Sequence, residues 1–349
     1  MKMKLQIQRL VIACLLFLVS FTGQAQWQGW HTISASGTTN VPVCIPEATP
    51  QMIIGNGVNV KNIYYSVSAN PFSVIPGNFL SNVSVDAVSW FHGLPFSDLY
   101  VFGKNLNNQL YFNLGRFDNN SGQVTWPNNW TPLDGRTDVA PTVTSPDNTG
   151  NNIFLFIKGE TDNQIYLNEY NSRKSVWKGL APLPDPMPTN VSLESLHFDN
   201  DPQYGRIYLF AKDLSNQIQW ITMTYDTRSS AFMSGDFVTN SGKWNVWQVI
   251  PGLTTNLSVA SYRDLNDNVY VFAVNPADSK IYFSTYKNPL YHATTITPLS
   301  SHNRWSVWQE VPGNFQTNVA VSCTNYGNLT LYAVGLDGHI YFNTYLPTP

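Results

Sequence analysis

The sequence predicts an all-β protein: a six-bladed β-propeller of four-stranded antiparallel blades, with the N-terminal strand completing the last blade. Three observations carry this expectation. A short motif recurs six times along the chain. Each copy is followed by the same succession of short, β-branched and aromatic runs, and repetition at this spacing is the mark of repeat architectures. The Trp-bearing segment that ends each repeat is missing from the last one, while a spare copy stands in front of the first.

The chain opens with a basic, then apolar, then small-residue pattern. Lys2, Lys4 and Arg9 precede an apolar run from Leu10 to Phe21, and Gly23-Gln24-Ala25 follows. This reads as a signal peptide over residues 1–25, because a run of about 12 apolar residues falls short of the roughly 20 that span a bilayer. A single domain over 26–349 is expected to be secreted, periplasmic or otherwise extracellular, without membrane insertion. Removal of residues 1–25 takes away three positive charges and no negative ones, so the net charge moves from −3 to −6. A mildly acidic surface with no basic stripe argues against nucleic acid as a partner. Charged residues make up 12% and aromatics 14% of the chain, against about 25% charged in an ordinary soluble domain.

The recurring motif is Thr/Ser–Asn/Asp–Val/Leu–small–apolar. It begins at Thr39, Ser81, Thr137, Thr189, Thr255 and Thr317, at intervals of 42, 56, 52, 66 and 62 residues. An apolar run comes next, clearest at Leu99-Tyr100-Val101-Phe102, Ile153-Phe154-Leu155-Phe156 and Ile207-Tyr208-Leu209-Phe210. Apolar residues on both faces are expected of a strand sandwiched between neighbouring sheets. A polar turn leads to a further run, such as Leu110-Tyr111-Phe112 or Ile340-Tyr341-Phe342, and the repeat ends in a Trp segment and a Pro/Gly turn. No stretch of 10–12 residues shows a helical period. With Trp27-Gln-Gly-Trp30 in front and the chain ending soon after Ile340-Tyr341-Phe342, a ring in which Trp27–Ile33 lies beside Ile340–Thr344 leaves no open edge.

Two cysteines remain after residue 25, Cys44 and Cys323, on the strands that open the first and last repeats. Cys44 stands four positions after Asn40 and Cys323 five after Asn318, so alternation points them to opposite faces. A Cys44–Cys323 disulfide across the seam is expected; two unrelated buried thiols are the alternative.

The unit Trp305-Ser-Val-Trp308-Gln-Glu-Val-Pro-Gly313, Thr317-Asn-Val-Ala-Val321, Leu331-Tyr-Ala-Val-Gly-Leu-Asp337 and Ile340-Tyr-Phe342 resembles the repeat of the bacterial PLL-type propeller lectins, which bind fucose and related sugars. The resemblance covers residues 26–349 at low stringency and is best in the last two repeats. It implies several shallow sugar sites, glycans or glycoconjugates as partners, no catalysis and no cofactor. The chain departs from the family in having six repeats where seven are common. The family's Arg-Gly is replaced by Gly103-Lys104, Lys158-Gly159, Ala211-Lys212 and Ala273-Val274, and Phe72 stands in place of a Trp.

The residues themselves offer what a sugar needs: aromatic faces for C–H stacking and amides or carboxylates for hydroxyls. Candidates are Trp130, Trp177, Trp247 and Trp308, with the turn residues Asn108, Asp162, Asn163, Asn216, Asp278 and Asp337. Packing between blades is the competing role for each Trp, and ordinary turn chemistry for each Asn or Asp. Two other functions stay open: a protein-interaction or adhesin propeller without sugar binding, and a propeller glycoside hydrolase. Against the hydrolase, the motif carries Asn five times and Asp138 once, so no carboxylate pair is evident in a central channel. The sialidase Asp-box has one imperfect match, at Ser145-Pro-Asp147-Asn-Thr-Gly150. Six scattered His and two Cys give no metal-ligand spacing, and Asp264-Leu-Asn266-Asp-Asn268 lacks the Gly and Glu of a calcium loop. The oligomeric state is left open.

Overall fold

The computed structural model describes residues 26–33, 38–46, 52–58, 61–68, 70–91, 95–145, 152–171, 174–198, 204–226, 243–264, 266, 268–287, 305–313, 315–317, 320–324 and 328–346. The expected signal peptide, the Asp-box match at Asp147 and Gly150, and the motif residues Asn318 and Val319 lie outside the described residues. Every described element is a strand, and the strands form six small antiparallel sheets set in a ring. Blade 3 shows the plan. Its innermost strand is Thr142–Thr144, followed outward by Asn152–Lys158, Ile165–Asn171 and an outermost strand broken into Val176–Trp177 and Ala181–Pro182. Blade 1 is the least regular: Met52–Asn56, Ile63–Val67 and Ser73–Val74 form the sheet, and Cys44 joins it by a single bridge to Ile54.

The second strands read as apolar on both faces because both faces are covered. Ile153, Phe154, Leu155 and Phe156 are all 0% exposed, as are Ile207 to Phe210. Phe154 and Phe156 enter the core shared with blade 4, and Ile153 and Leu155 the core shared with blade 2. One strand thus feeds two cores, which is the pleat's alternation put to use between blades.

The ring closes as the repeat phase predicts. Gln26–Trp27 and His31–Thr32 pair antiparallel with Ile340–Leu346, with Trp27 opposite Tyr345 and His31 opposite Phe342. Ile33 N donates to Ile340 O at 3.0 Å and Gln28 N to Thr344 O at 3.0 Å. The first segment therefore forms the outermost strand of blade 6, beside strands Thr330–Val334 and Ser322–Cys323.

The motif acts at the junction between blades. The amide of each leading Thr or Ser donates to the carbonyl of a turn residue in the preceding blade. The six pairs are Thr39 to Gly338, Ser81 to Lys61, Thr137 to Asn108, Thr189 to Asn163, Thr255 to Asn216 and Thr317 to Ser279, all at 2.9–3.0 Å. All six acceptor residues hold positive φ, between 54° and 79°. Left-handed backbone is what Gly and Asn tolerate best, which explains their frequency at this turn. The Thr hydroxyl turns back on the chain: Val41, Val83, Val139, Val191 and Leu257 each donate N–H to it from two residues on. The side chain is buried in all six copies.

The expected disulfide is absent: Cys44 and Cys323 are free and buried. The offset does point the thiols to opposite faces, but away from the seam between blades 6 and 1. Cys44 Sγ donates to Asp86 Oδ1 of blade 2 at 3.5 Å, and Cys323 Sγ to Ser261 O of blade 5 at 2.8 Å. Burial raises both thiol pKa values well above their ordinary range, so neither is a ready thiolate. Unfolding without reductant is therefore expected to release two titratable thiols from the 26–349 chain, and reductant to leave the melting temperature unchanged.

Candidate functional site

The outermost strands carry two aromatic positions three or four residues apart, and both work between blades. The first ring packs on the second and third strands of the preceding blade. Trp177 meets Phe102 at 5.7 Å and 84°, Trp244 meets Phe156 at 6.1 Å, Trp305 meets Trp220 at 5.7 Å and Trp27 meets Phe272 at 6.2 Å. The second ring is a wedge laid on the last turn of the preceding blade. Trp130 Nε1 donates to Pro76 O at 3.1 Å, Trp247 Nε1 to Asp185 O at 3.0 Å and Trp308 Nε1 to Pro251 O at 2.9 Å. Trp130 also stacks on Phe79, with centroids 4.0 Å apart. Gly77, Gly252 and Gly313, each at positive φ, let the turn approach the edges of Trp130, Trp308 and Trp30. The candidates Trp130, Trp177, Trp247 and Trp308 thus all pack between blades, and three of their indole N–H groups are already bonded.

Blade 3 breaks the pattern. In Trp177-Lys178-Gly179-Leu180 the wedge position, equivalent to Trp30 in Trp27-Gln28-Gly29-Trp30, holds Leu180. A smaller wedge leaves an open groove between blades 2 and 3, with a volume of about 470 Å³. Leu180, Ile157 and Tyr166 supply its apolar surface, and Gln109, Arg136, Glu160 and Asp162 its polar surface. The floor is tightly drawn: a Cβ on Gly135 (φ 108°) would strike Leu180, and one on Gly159 would strike Asp162. The strand pairing of Thr131–Arg136 with Gln109–Asp118 shifts register between Pro132 and Arg136, and Asp134 and Gly135 of this irregular stretch line the groove.

An ordered polar network crosses the groove. Arg136 Nε bonds Glu160 Oε2 at 2.6 Å, and Asn108 Nδ2 donates to Glu160 Oε1 at 2.7 Å. Tyr166 OH donates to Asp162 Oδ2 at 2.6 Å. Arg136, then Asn108, hold the Glu160 carboxyl below its ordinary pKa, and Tyr166 does the same for Asp162. Both are carboxylates at neutral pH. Arg136 uses only Nε among the described residues, so its two Nη groups keep their donors for a ligand.

Of the turn candidates, the structure brings only Asn108 and Asp162 to this groove. Asn108, Asn163 and Asn216 are the left-handed turn residues of blades 2, 3 and 4, each accepting from a buried lysine: Lys104 at 2.6 Å, Lys158 at 2.7 Å and Lys212 at 2.7 Å. Asp278 and Asp337 repeat the Asp162 arrangement, accepting from Tyr282 and Tyr341 at 2.8 Å each in blades 5 and 6. Sequence reasoning missed Arg136, Glu160 and Leu180. Their signal lay in comparing repeats: Arg136 is the only charged residue directly before a motif Thr or Ser, and Leu180 replaces an aromatic. At the Asp264 turn the carboxylate is saturated by the amides of Asn266 and Asn268, the Asn268 side chain and Tyr270 OH.

The central channel corrects a second expectation. Four residues past the motif Asn, the innermost strands carry Asp86 in blade 2 and Glu194 in blade 4, both lining a cavity of about 90 Å³ on the axis. The register that matters is four positions beyond the motif residue, which is why the motif's own Asn hid them. Asp86 Oδ2 accepts from Thr142 Oγ1 at 2.9 Å and Val143 N at 2.8 Å, and Glu194 Oε1 from Ser261 N and Oγ at 3.0 Å. Burial, and then the Asp86 charge, push the Glu194 pKa up to about 8; burial raises that of Asp86 as well. No group of three or more potential metal ligands occurs among the described residues.

The Glu194 shift sets a pH dependence. Its folded value of about 8 lies above the ordinary 4.5, so the unfolded chain binds fewer protons between those values and stability falls as pH rises through them. The expected outcome for Glu194→Gln is a melting temperature several degrees above wild type at pH 8, converging below about pH 5. Thermal denaturation across pH 5–9 checks it.

No family model matches the chain, and no curated protein matches it. Solved structures do. AofleA from Arthrobotrys oligospora is 12% identical over 93% of this chain and 87% of its own, with a TM-score of 0.57. The BP39L lectin from Burkholderia pseudomallei is 15% identical over 88% and 81%, with a TM-score of 0.54. The fungal lectin of Aleuria aurantia, described as a six-bladed β-propeller with a novel fucose recognition mode, is 11% identical over 89% and 96%, with a TM-score of 0.52. At these identities the likeness is one of fold.

Proposed function

We propose that this chain is a secreted, lectin-like propeller that holds glycans non-covalently in grooves between its blades, with the blade 2–3 groove as the principal site. The observation that carries the reading is the open groove created by Leu180, where apolar surface and a fixed Arg136–Glu160 pair face the same space. Pyranoses present C–H faces and vicinal hydroxyls together. Tyr166 and Leu180 suit the first, and the Arg136 Nη groups with Asp162 suit the second. A volume of about 470 Å³ falls within the range typical of small-ligand sites, roughly 300–1,000 Å³. Fold likeness to solved lectins, one of them described for fucose recognition, supports the same class. The Asp278–Tyr282 and Asp337–Tyr341 pairs support weaker additional sites, through which one molecule would engage a glycan-coated surface with gain in avidity. The leader pattern of residues 1–25 supports export.

The axial carboxylates speak for a hydrolase, but their cavity of about 90 Å³ is well below the volume of a typical small-ligand site, roughly 300–1,000 Å³. A glycan array followed by calorimetry tests the lectin reading. Arg136→Ala and Tyr166→Ala are each expected to weaken binding at least about tenfold, the worth of a hydrogen bond to a charged group or a stacked ring. Leu180→Trp is expected to abolish binding while leaving the melting temperature unchanged or higher, because it restores the wedge used by neighbouring blades. An array with no bound glycan, together with capture of a single protein partner, would establish the adhesin alternative.

A further inference from the structure

We propose that Asn108 is a positioning residue for the groove: from the hairpin of blade 2 it fixes the Glu160 carboxylate of blade 3, and through it the Arg136 guanidinium, with the buried Lys104 as its anchor. The inference rests on the reading of the groove as the ligand site. Lys104, only 2% exposed, donates Nζ to Asn108 Oδ1 at 2.6 Å. Asn108 Nδ2 reaches Glu160 Oε1 at 2.7 Å, and Oε2 takes Arg136 Nε at 2.6 Å. Both carboxylate oxygens are thereby committed, so the carboxylate cannot rotate without losing a bond.

The need for a third partner follows from magnitudes. The Arg136 side chain is 54% exposed and that of Glu160 26%. A pair that open to solvent adds little stability and does not by itself hold two long side chains in one geometry. An amide bonded on its other side to a buried ammonium supplies the rigidity that the pair lacks. Ligand sites depend on such supporting contacts.

Blade 4 contains the same local unit without the consequence. Lys212-Asp-Leu-Ser-Asn216 repeats Lys104-Asn-Leu-Asn-Asn108, with Nζ to Oδ1 at 2.7 Å and φ of 66° against 64°. The following blade carries Pro276 where blade 3 carries Glu160, and no carboxylate meets Asn216 among the described residues. The lysine–asparagine lock is therefore common equipment, and among the described residues only Asn108 extends it to a carboxylate of the next blade.

Around Glu160, the charged groups are Arg136, Lys104 and the groove-lining Asp134 from blade 2, and Asp138, Lys158 and Asp162 from blade 3. Arg136 and Asn108 are the hydrogen-bond donors that lower its pKa. Removing Asn108 is thus expected to raise the pH at which Glu160 titrates, with or without a ligand present.

The test uses Asn108→Gly, which keeps the left-handed turn, and Asn108→Ser as a second variant, since Ser279 holds this position in blade 5 at φ 58°. Carboxyl carbon NMR of unliganded protein follows the Glu160 titration, and calorimetry with a glycan identified on the array follows affinity against pH. The expected result is an upward move of the Glu160 titration, an affinity lower by about tenfold and an acid limb of binding that moves with the titration. Lys212→Met, which breaks the equivalent lock in blade 4, is expected to move neither readout. A Glu160 titration unmoved in both Asn108 variants overturns the proposal whether or not any glycan binds. A moved titration with unchanged affinity overturns it too. A moved titration in a protein that binds no glycan overturns the lectin reading and leaves the contact itself established.

Discussion

One hydrogen bond recurs at every junction between blades, from the amide of a motif Thr or Ser to the carbonyl of a left-handed turn residue one blade back. It is made six times, including Thr39 to Gly338 across the closure. The left-handed conformation turns that carbonyl out of its own hairpin and toward the neighbour, and the buried Thr side chain folds the incoming strand onto the axis. Short sheets have little stability alone; set in a ring they share cores, and this bond fixes the register in which they do so. The groove is built on the same junction. Thr137 takes the Asn108 carbonyl, Arg136 directly precedes Thr137, and the Asn108 side chain reaches Glu160. Scaffold and site therefore use the two ends of one residue.

Where the repeats agree, the space between blades is filled. An indole wedge buries a large apolar area and, in Trp130, Trp247 and Trp308, spends its N–H on the preceding turn. At Leu180 the space opens, and the departure coincides with the charged pair Arg136–Glu160. Packing given up at this junction is offset by the indole wedges of Trp30, Trp130, Trp247 and Trp308 at four others, and departures from local rule are where function is expected to sit.

The axis shows a different balance. Asp86 and Glu194 are taken out of bulk solvent with hydrogen bonds but, among the described residues, no cation that lowers either pKa, and the Glu194 proton is held far above its ordinary range as a result. Donors from successive innermost strands, Cys44, Thr142, Ser195 and Ser261, hold this belt together. The thiols belong to it, each bonded to the blade on its far side. Closure rests on the pairing of Gln26–Thr32 with Ile340–Leu346 and not on a covalent link.

Blade number, strand order and the return of the first segment to the last blade were legible in the sequence, because each follows from local periodicity and from the phase at which the repeats begin and end. So was the burial of both faces of the middle strands. The direction of Cys44 and Cys323 was half legible: alternation separates two faces but does not say which neighbour each one meets. The meeting of Arg136 with Glu160, 24 residues apart, of Asn108 with Glu160, 52 apart, and of Asp86 with Thr142, 56 apart, was decided only by the tertiary structure. Such pairs depend on how adjacent sheets are turned and spaced about the axis. That geometry is set by the packing of six units together, and no single repeat contains it.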